Sequence, residues 1–501
     1  MTVKPHDPQA MYLLSSLGKL MTNNENIWTL EAVLKATGGE LLVNGNVQIF
    51  PGISTDSRTL SPGELFVALT GENFDGHQFV EEAASKGAAS VVVALDNAER
   101  LDTKGLRIPV IGVGDTLRAF GDLASYWRSL HSIPVVAITG SNGKTTTKEM
   151  VAAILSRSWK VLKNHGTFNN LVGVPLTLLQ LDNSHEAAVV EMGMNQPGEI
   201  ERLTEIVQPN LGMITNIQAA HLEGMGDLDS IQRAKGGLFA GMKSTGTIVV
   251  NRDDPRVSRE AAAFSGRQVR FSSKGDPAEV RLEKVHGVNG DGSHFLLRLA
   301  EEPLEIRLPV IGLHHIKNAV AAAAVAWALN LPTSTIGAAL DNFQPVDKRM
   351  EVVTLPGDIH LINDTYNANP GSMAAALETL MQVRQQGRTF AILGDMLEMG
   401  KDSSSLHRQV GRIAAKEGVD HLFAMGKQAS HLLAGAAEAG MAREQLTEAG
   451  DHEEIATLIH RLLGAGDWVL VKGSRGMRME KVIEALIELY GPSKDRSGGG
   501  Q

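Results

Sequence analysis

The chain has 501 residues, 43% hydrophobic and 21% charged, enough for about three cored domains at roughly 150 residues each, and wholesale disorder is excluded. Lys and Arg number 47 against 57 Asp and Glu, a net charge of −10, so the chain lacks the excess cations that non-specific nucleic-acid binding needs. There is no cysteine, which rules out disulfides, thiolate zinc sites and cysteine nucleophiles.

Residues 1–26 read as a loose leader without the basic start and apolar run of a secretory signal. From 27 to 113 a small α/β unit is expected. Its strands are Leu41–Val43, Gly63–Leu69, Ala89–Ala94 and Pro109–Val113, with a helix over Phe79–Lys86. From 114 to 345 helices alternate with short continuous apolar strands, the signature of a parallel sheet covered on both faces. The helices are Thr116–Leu130, Thr145–Ser156 and Asn318–Leu329, and the strands are Pro134–Thr139, Ala187–Glu191, Leu211–Ile217 and Thr247–Asn251. Antiparallel strands are expected over 266–308. From 346 to 492 a third alternating unit has strands at Ile359–Asn363, Thr389–Leu393, His421–Ala424 and Trp468–Val471, and the tail from Ser493 is flexible by composition. The longest apolar run, Ala319–Leu329, is too short to cross a bilayer, so a cytoplasmic chain without membrane insertion is expected.

The strongest motif is Thr139-Gly140-Ser141-Asn142-Gly143-Lys144-Thr145-Thr146, which follows an apolar strand and opens a helix. That context is what a phosphate-binding loop requires. Gly140 and Gly143 let the backbone approach phosphate closely, the helix N-terminus supplies positive potential, Lys144 adds a charge, and the Thr145 hydroxyl suits Mg²⁺. The general pattern asks for glycine where this chain has Ile138. Glu191 ends an apolar strand and His221 follows another, so both are metal candidates by strand-end placement. A nucleotide-gated binding module is a competing reading. Asn251-Arg252-Asp253-Asp254 approaches a guanine-reading motif, but no Asp-x-x-Gly switch follows Glu191.

The chain resembles the Mur ligases. The variant phosphate loop is similar to theirs, as are Asn169-Asn170-Leu171-Val172-Gly173-Val174-Pro175, Glu191-Met192-Gly193, His221-Leu222-Glu223 and Ala234-Lys235-Gly236. Asp364–Met373, Leu393–Gly400 and Val471–Arg475 resemble the member that adds a dipeptide, and Ser54–Arg58 with Pro62–Leu69 resembles a UDP-binding domain. The resemblance implies three α/β domains. A small N-terminal domain (27–113) takes the UDP moiety, a central parallel sheet with the phosphate loop (114–345) takes ATP, and a Rossmann-like C-terminal domain (346–492) takes the amine. It implies that UDP-N-acetylmuramoyl-tripeptide is activated by ATP as an acyl phosphate and joined to D-alanyl-D-alanine, by a chain expected to act as a monomer. Catalysis would fall to Lys144, His221 and Lys235, the last able to carry a carbamate. Gly140, Ser141, Asn142, Gly143, Lys144, Thr145, Thr146, Asn318, Arg349 and Asp364 would hold the nucleotide. Thr145, Glu191, His221 and Lys235 would hold Mg²⁺, and Asp56, Ser57, Arg58, Asn169, Asn170, Tyr366 and Asn369 the substrates. A sibling ligase adding a diamino acid and a folylpolyglutamate synthetase-like enzyme are the nearest alternatives.

Overall fold

A computed structural model describes residues 28–71, 74–99, 105–219 and 222–491. The expected leader and tail lie outside the described residues, as does His221. The chain divides into two compact units, one of residues up to 135 with 160–194 and 201–209, the other of 136–159, 195–200 and 210 onward.

In the first unit a five-stranded sheet runs in the order Glu40–Val43, Val110–Val113, Ser90–Ala94, Leu65–Val67, Ile53–Ser54. Only the first pair is antiparallel. Phe66, Val80, Val91, Val93 and Val110 share its core. The helix expected over Phe79–Lys86 starts as a 3₁₀ turn, Gly76–Phe79, because the Asp75 carboxylate accepts the His77 amide and tightens the entry; the α-helix proper is Val80–Ser85. The helix Thr116–Ser129 begins where Asp115 accepts the amides of Leu117 and Arg118, a cap worth about 1 kcal/mol. Val161–Lys163 and Ala187–Glu191 pair in parallel, and every residue of the latter is buried.

The second unit holds two sheets. The first contains β1 (Val135–Thr139), β2 (Leu211–Ile214), β3 (Thr247–Asn251), β4 (Arg267–Ser272), β5 (Val280–Asn289), β6 (Gly292–Leu299) and β7 (Glu302–Leu308), side by side in chain order. Pairs from β1 to β5 are parallel and those from β5 to β7 antiparallel. The expectation of antiparallel strands from 266 is therefore corrected for β4. The helix Pro255–Ala261 carries the chain back over the sheet, and a crossover of that kind returns a strand parallel. The helix expected from Asn318 starts five residues earlier, giving α3 (Leu313–Ala328), because Gly312 takes a left-handed φ of 101° at its entry. Two further helices, α1 (Lys144–Leu155) and α2 (Leu228–Gly241), complete the surroundings of the loop after β1.

The second sheet has the order β8 (Glu351–Leu355), β9 (Ile359–Asp364), β13 (Trp468–Lys472), β10 (Thr389–Gly394), β11 (His421–Met425), β12 (Leu446–Ala449), parallel except for the first pair. Trp468 and Leu470 join one apolar core while Val469 and Val471 join another, so period-two alternation feeds both faces. Burying one such aliphatic side chain contributes about 1.5–3 kcal/mol. Helix α4 (Pro370–Val383) opens with a capping box in which Asn369 accepts the Ser372 amide.

Candidate active site

The loop between β1 and α1 is built as a cradle. Gly140 has φ 148° and Gly143 has φ 79°, and a Cβ at Gly140 would run into the Thr215 hydroxyl. Gly143 caps α1 without a side-chain acceptor. The amides of the first turn have no intrahelical partner, so they suit an anion. Residues after β2 hold the loop from behind. Asn216 Oδ1 accepts the Asn142 amide at 3.0 Å, Thr215 Oγ1 donates to the Asn142 carbonyl at 2.7 Å, and Ser141 Oγ donates to the Gln218 carbonyl at 2.8 Å. This is why the expected strand Leu211–Ile217 stops at Ile214: Thr215 onward turns to grip the loop. Asn216 and Gln218 were not singled out from sequence, and an apolar strand ending in Thr-Asn-x-Gln carries only a weak polar signal.

Two amines converge on one oxygen. Lys144 Nζ donates to the Gly140 carbonyl at 2.8 Å, and Lys235 Nζ, from α2, donates to the same carbonyl at 3.1 Å. Lys235 is 1% exposed. Burial first, and then the charge of Lys144, hold its amine well below the ordinary lysine range. That favours the neutral, nucleophilic form, the one able to take up CO₂.

Asn318, on α3, sits against Gly143, where its Oδ1 would collide with any added Cβ. Thr145 and Thr146 are both buried in the first turn of α1. Arg349 reaches the same turn, its guanidinium donating to Thr145 Oγ1 at 2.9 Å and lying 4.2 Å over the Tyr366 ring. The residues on either side, Lys348 and Met350, have φ of 57° and 53°. Strain of that kind, costing about 1–3 kcal/mol per residue, is tolerated where it presents a functional side chain. Asn369 Nδ2 donates to Asn142 Oδ1 at 2.7 Å, tying the start of α4 to the apex of the loop. Asp364, at the end of β9, pairs with Lys472 at the end of β13, 2.6 Å apart, and Lys472 also donates to the Asn367 carbonyl. The pairing partner Lys472 lies 108 residues away and was not assigned a role from sequence. Arg475 adds a second guanidinium 5.5 Å from the Tyr366 ring.

In the first unit, Glu191 is 1% exposed and its Oε1 accepts Asn169 Nδ2 at 2.7 Å. Among the described residues its buried Oε2 has no hydrogen-bond partner. A buried carboxylate oxygen left without a donor is the chemistry a cation supplies, so this residue fits the metal role. Asn170 Oδ1 accepts the amides of Val172 and Gly173 and is occupied as a turn former. Asp56 is chelated by Arg58, with Nε–Oδ1 at 2.9 Å and a second nitrogen at 2.7 Å from Oδ2. Burial raises its carboxyl, but the Arg58 hydrogen bonds outweigh that and leave it below the ordinary range. Ser57 is buried and its carbonyl accepts Lys86 Nζ. Arg58 is largely exposed.

Three segments match family models: residues 50–128 the Mur ligase family catalytic domain, 138–326 the Mur ligase middle domain, and 348–475 the Mur ligase glutamate ligase domain. The chain is 37% identical over 454 residues to the UDP-N-acetylmuramoyl-tripeptide–D-alanyl-D-alanine ligase of Escherichia coli, covering 89% of this chain and 97% of that one. Its three-domain α/β fold is that of a solved MurF from Acinetobacter baumannii, with TM-score 0.84, 34% identity, and 92% and 99% of the two chains covered. It is likewise similar to MurF ligase from Thermotoga maritima in complex with ADP, with TM-score 0.78, 26% identity, and 87% and 97% covered.

Proposed function

The chain belongs to the Mur ligase family, and from that premise we infer that it is the ATP-dependent ligase joining D-alanyl-D-alanine to UDP-N-acetylmuramoyl-tripeptide in peptidoglycan precursor synthesis. The reaction is proposed to run in the cytoplasm, through an acyl phosphate on the tripeptide carboxylate. ATP supplies the phosphoryl group that makes that carboxylate electrophilic, and Mg²⁺ would neutralise the charge between the two anions that must meet.

The chain's own residues then have distinct tasks. The first-turn amides of α1 and Lys144 hold phosphate oxygens, and their fixed charge offsets the repulsion that dominates the first step. Thr145 and Glu191 would ligand the cation. Lys235 as a carbamate, together with His221, would complete the ligand set. Asn318 would border the base, and Arg349 would follow the phosphates from its seat on Thr145. Asp364, Tyr366 and Asn369 would face the incoming amine, with Lys472 keeping Asp364 in place. Asp56, Ser57 and Arg58 would take the UDP portion, and Asn169 would keep Glu191 aimed.

The observation that carries this reading is the pair of contacts from the C-terminal segment onto the phosphate loop, Arg349 to Thr145 and Asn369 to Asn142. Under this reading they would bring the residues proposed to face the amine to the loop proposed to grip a phosphoryl group. The test is phosphate release by the full chain with ATP and UDP-tripeptide, with and without D-alanyl-D-alanine. Release that depends on all three supports the assignment. Release supported by a free diamino acid in place of the dipeptide overturns it.

A further inference from the structure

Away from the loop, three metal-ligating side chains meet on the outer face of β5, β6 and β7: His286, His294 and Glu305, one from each strand. Their ligand atoms all lie within 4.8 Å of one another. Both imidazoles already address one carboxylate, His286 Nε2 to Glu305 Oε1 at 3.3 Å and His294 Nε2 to Oε2 at 3.0 Å, and the two rings are 4.5 Å apart. Tetrahedral ligation at about 2.1 Å per bond puts donor atoms roughly 3.4 Å apart, so these contacts are close to what a bound ion would impose.

The backbone is shaped for this convergence. Register slips between Val285 and Gly287 of β5, which pair with Phe295 and His294 in turn, so His286 is the extra residue of a bulge. A bulge of that kind re-aims a side chain, and here it sets the His286 ring beside His294. Glu305 pairs with Leu296, two residues along β6 from His294, and so lies diagonally across on the same face.

We propose that His286, His294 and Glu305 form a site for one late first-row divalent ion of the zinc class, stapling three antiparallel strands at the edge of the sheet. Two imidazoles and one carboxylate suit zinc, nickel or copper and are poor partners for Mg²⁺, which prefers oxygen. All three side chains are part-exposed, so the ion has an entry path and water completes its coordination. The site is separate from the ligase chemistry and its test is independent of it.

The probe is Zn²⁺ titrated by calorimetry into the full chain, with millimolar Mg²⁺ and ADP present so that oxygen-rich sites are satisfied. Wild type should bind one Zn²⁺ more than the His286→Ala/His294→Ala double variant. Glu305→Gln, which keeps the side chain's shape, should weaken that site by more than the roughly 10- to 100-fold that loss of an outer ligand partner costs. Co²⁺ should give the visible absorption of an imidazole-bound ion in wild type and lose it in the double variant, while phosphate release in Mg²⁺ stays at the wild-type rate. Equal Zn²⁺ stoichiometry and affinity in wild type and both variants overturns the proposal.

Discussion

Glu191 shows how much one atom can decide. Oε1 is satisfied by Asn169 and Oε2 is buried with no donor among the described residues. Glu191→Gln should therefore raise the Mg²⁺ concentration needed for half-maximal phosphate release at least tenfold while leaving UDP-tripeptide binding intact. A Mg²⁺ titration that superimposes on wild type would remove Glu191 from the ligand set. The paired histidines at the start of α3 make a different prediction. Burial, then the charges of Lys472 and Lys317, push His314 down to about 3, and burial, then the adjacent His314 and Arg349, hold His315 well below its usual value. Folded-state values below the unfolded 6.5 mean the unfolded chain binds more protons between them. Stability is therefore intact above pH 6.5 and is lost as pH falls below it, at up to about 1.4 kcal/mol per pH unit for each ring. A His314→Gln/His315→Gln variant should lose less stability than wild type between pH 6.5 and 4.5, read from urea midpoints.

At the scale of elements, the loop after β1 depends on a backbone that only glycine allows. Gly140→Ala has to place a methyl group on the Thr215 hydroxyl at a φ of 148°, so it should abolish nucleotide binding and lower the melting temperature. Asn369→Ala removes both the α4 cap and the bond to Asn142. The cap alone is worth about 1 kcal/mol. A kcat loss beyond what denaturant midpoints explain would report the bond to the loop. These elements differ in how far the amino-acid order reveals them. The cradle was legible because strand, Gly-rich turn and helix are contiguous, and the doubly wound sheets because Val135–Thr139 or Trp468–Val471 are continuous apolar runs. The grip of Asn216 and Gln218 on the loop and the Asp364–Lys472 pair were not, since they join residues 70 to 110 positions apart with no local pattern. Nor was the parallel course of β4, because strand direction depends on the connection and not on the strand's own residues.

Over the whole molecule, nucleotide affinity and stability are linked. Anything that binds the folded chain alone stabilises it, by about 2.7 kcal/mol at a hundred times its Kd. ADP with Mg²⁺ should raise the melting temperature measurably, and GDP at the same concentration should not. An equal shift with GDP would favour the nucleotide-gated alternative. No helix among the described residues is long and apolar enough to cross a membrane.

The Gly140 carbonyl, shared by Lys144 and Lys235, ties the fate of one ammonium to that of the other. Part of what keeps Lys235 basicity low is the charge of its neighbour. Truncating Lys144 thus does two things at once: a phosphate loses its cation, and the remaining amine becomes easier to protonate and slower to capture CO₂. Single-site knockouts at Lys144 will overstate its electrostatic share. Added bicarbonate, by restoring the second function alone, separates the two debts.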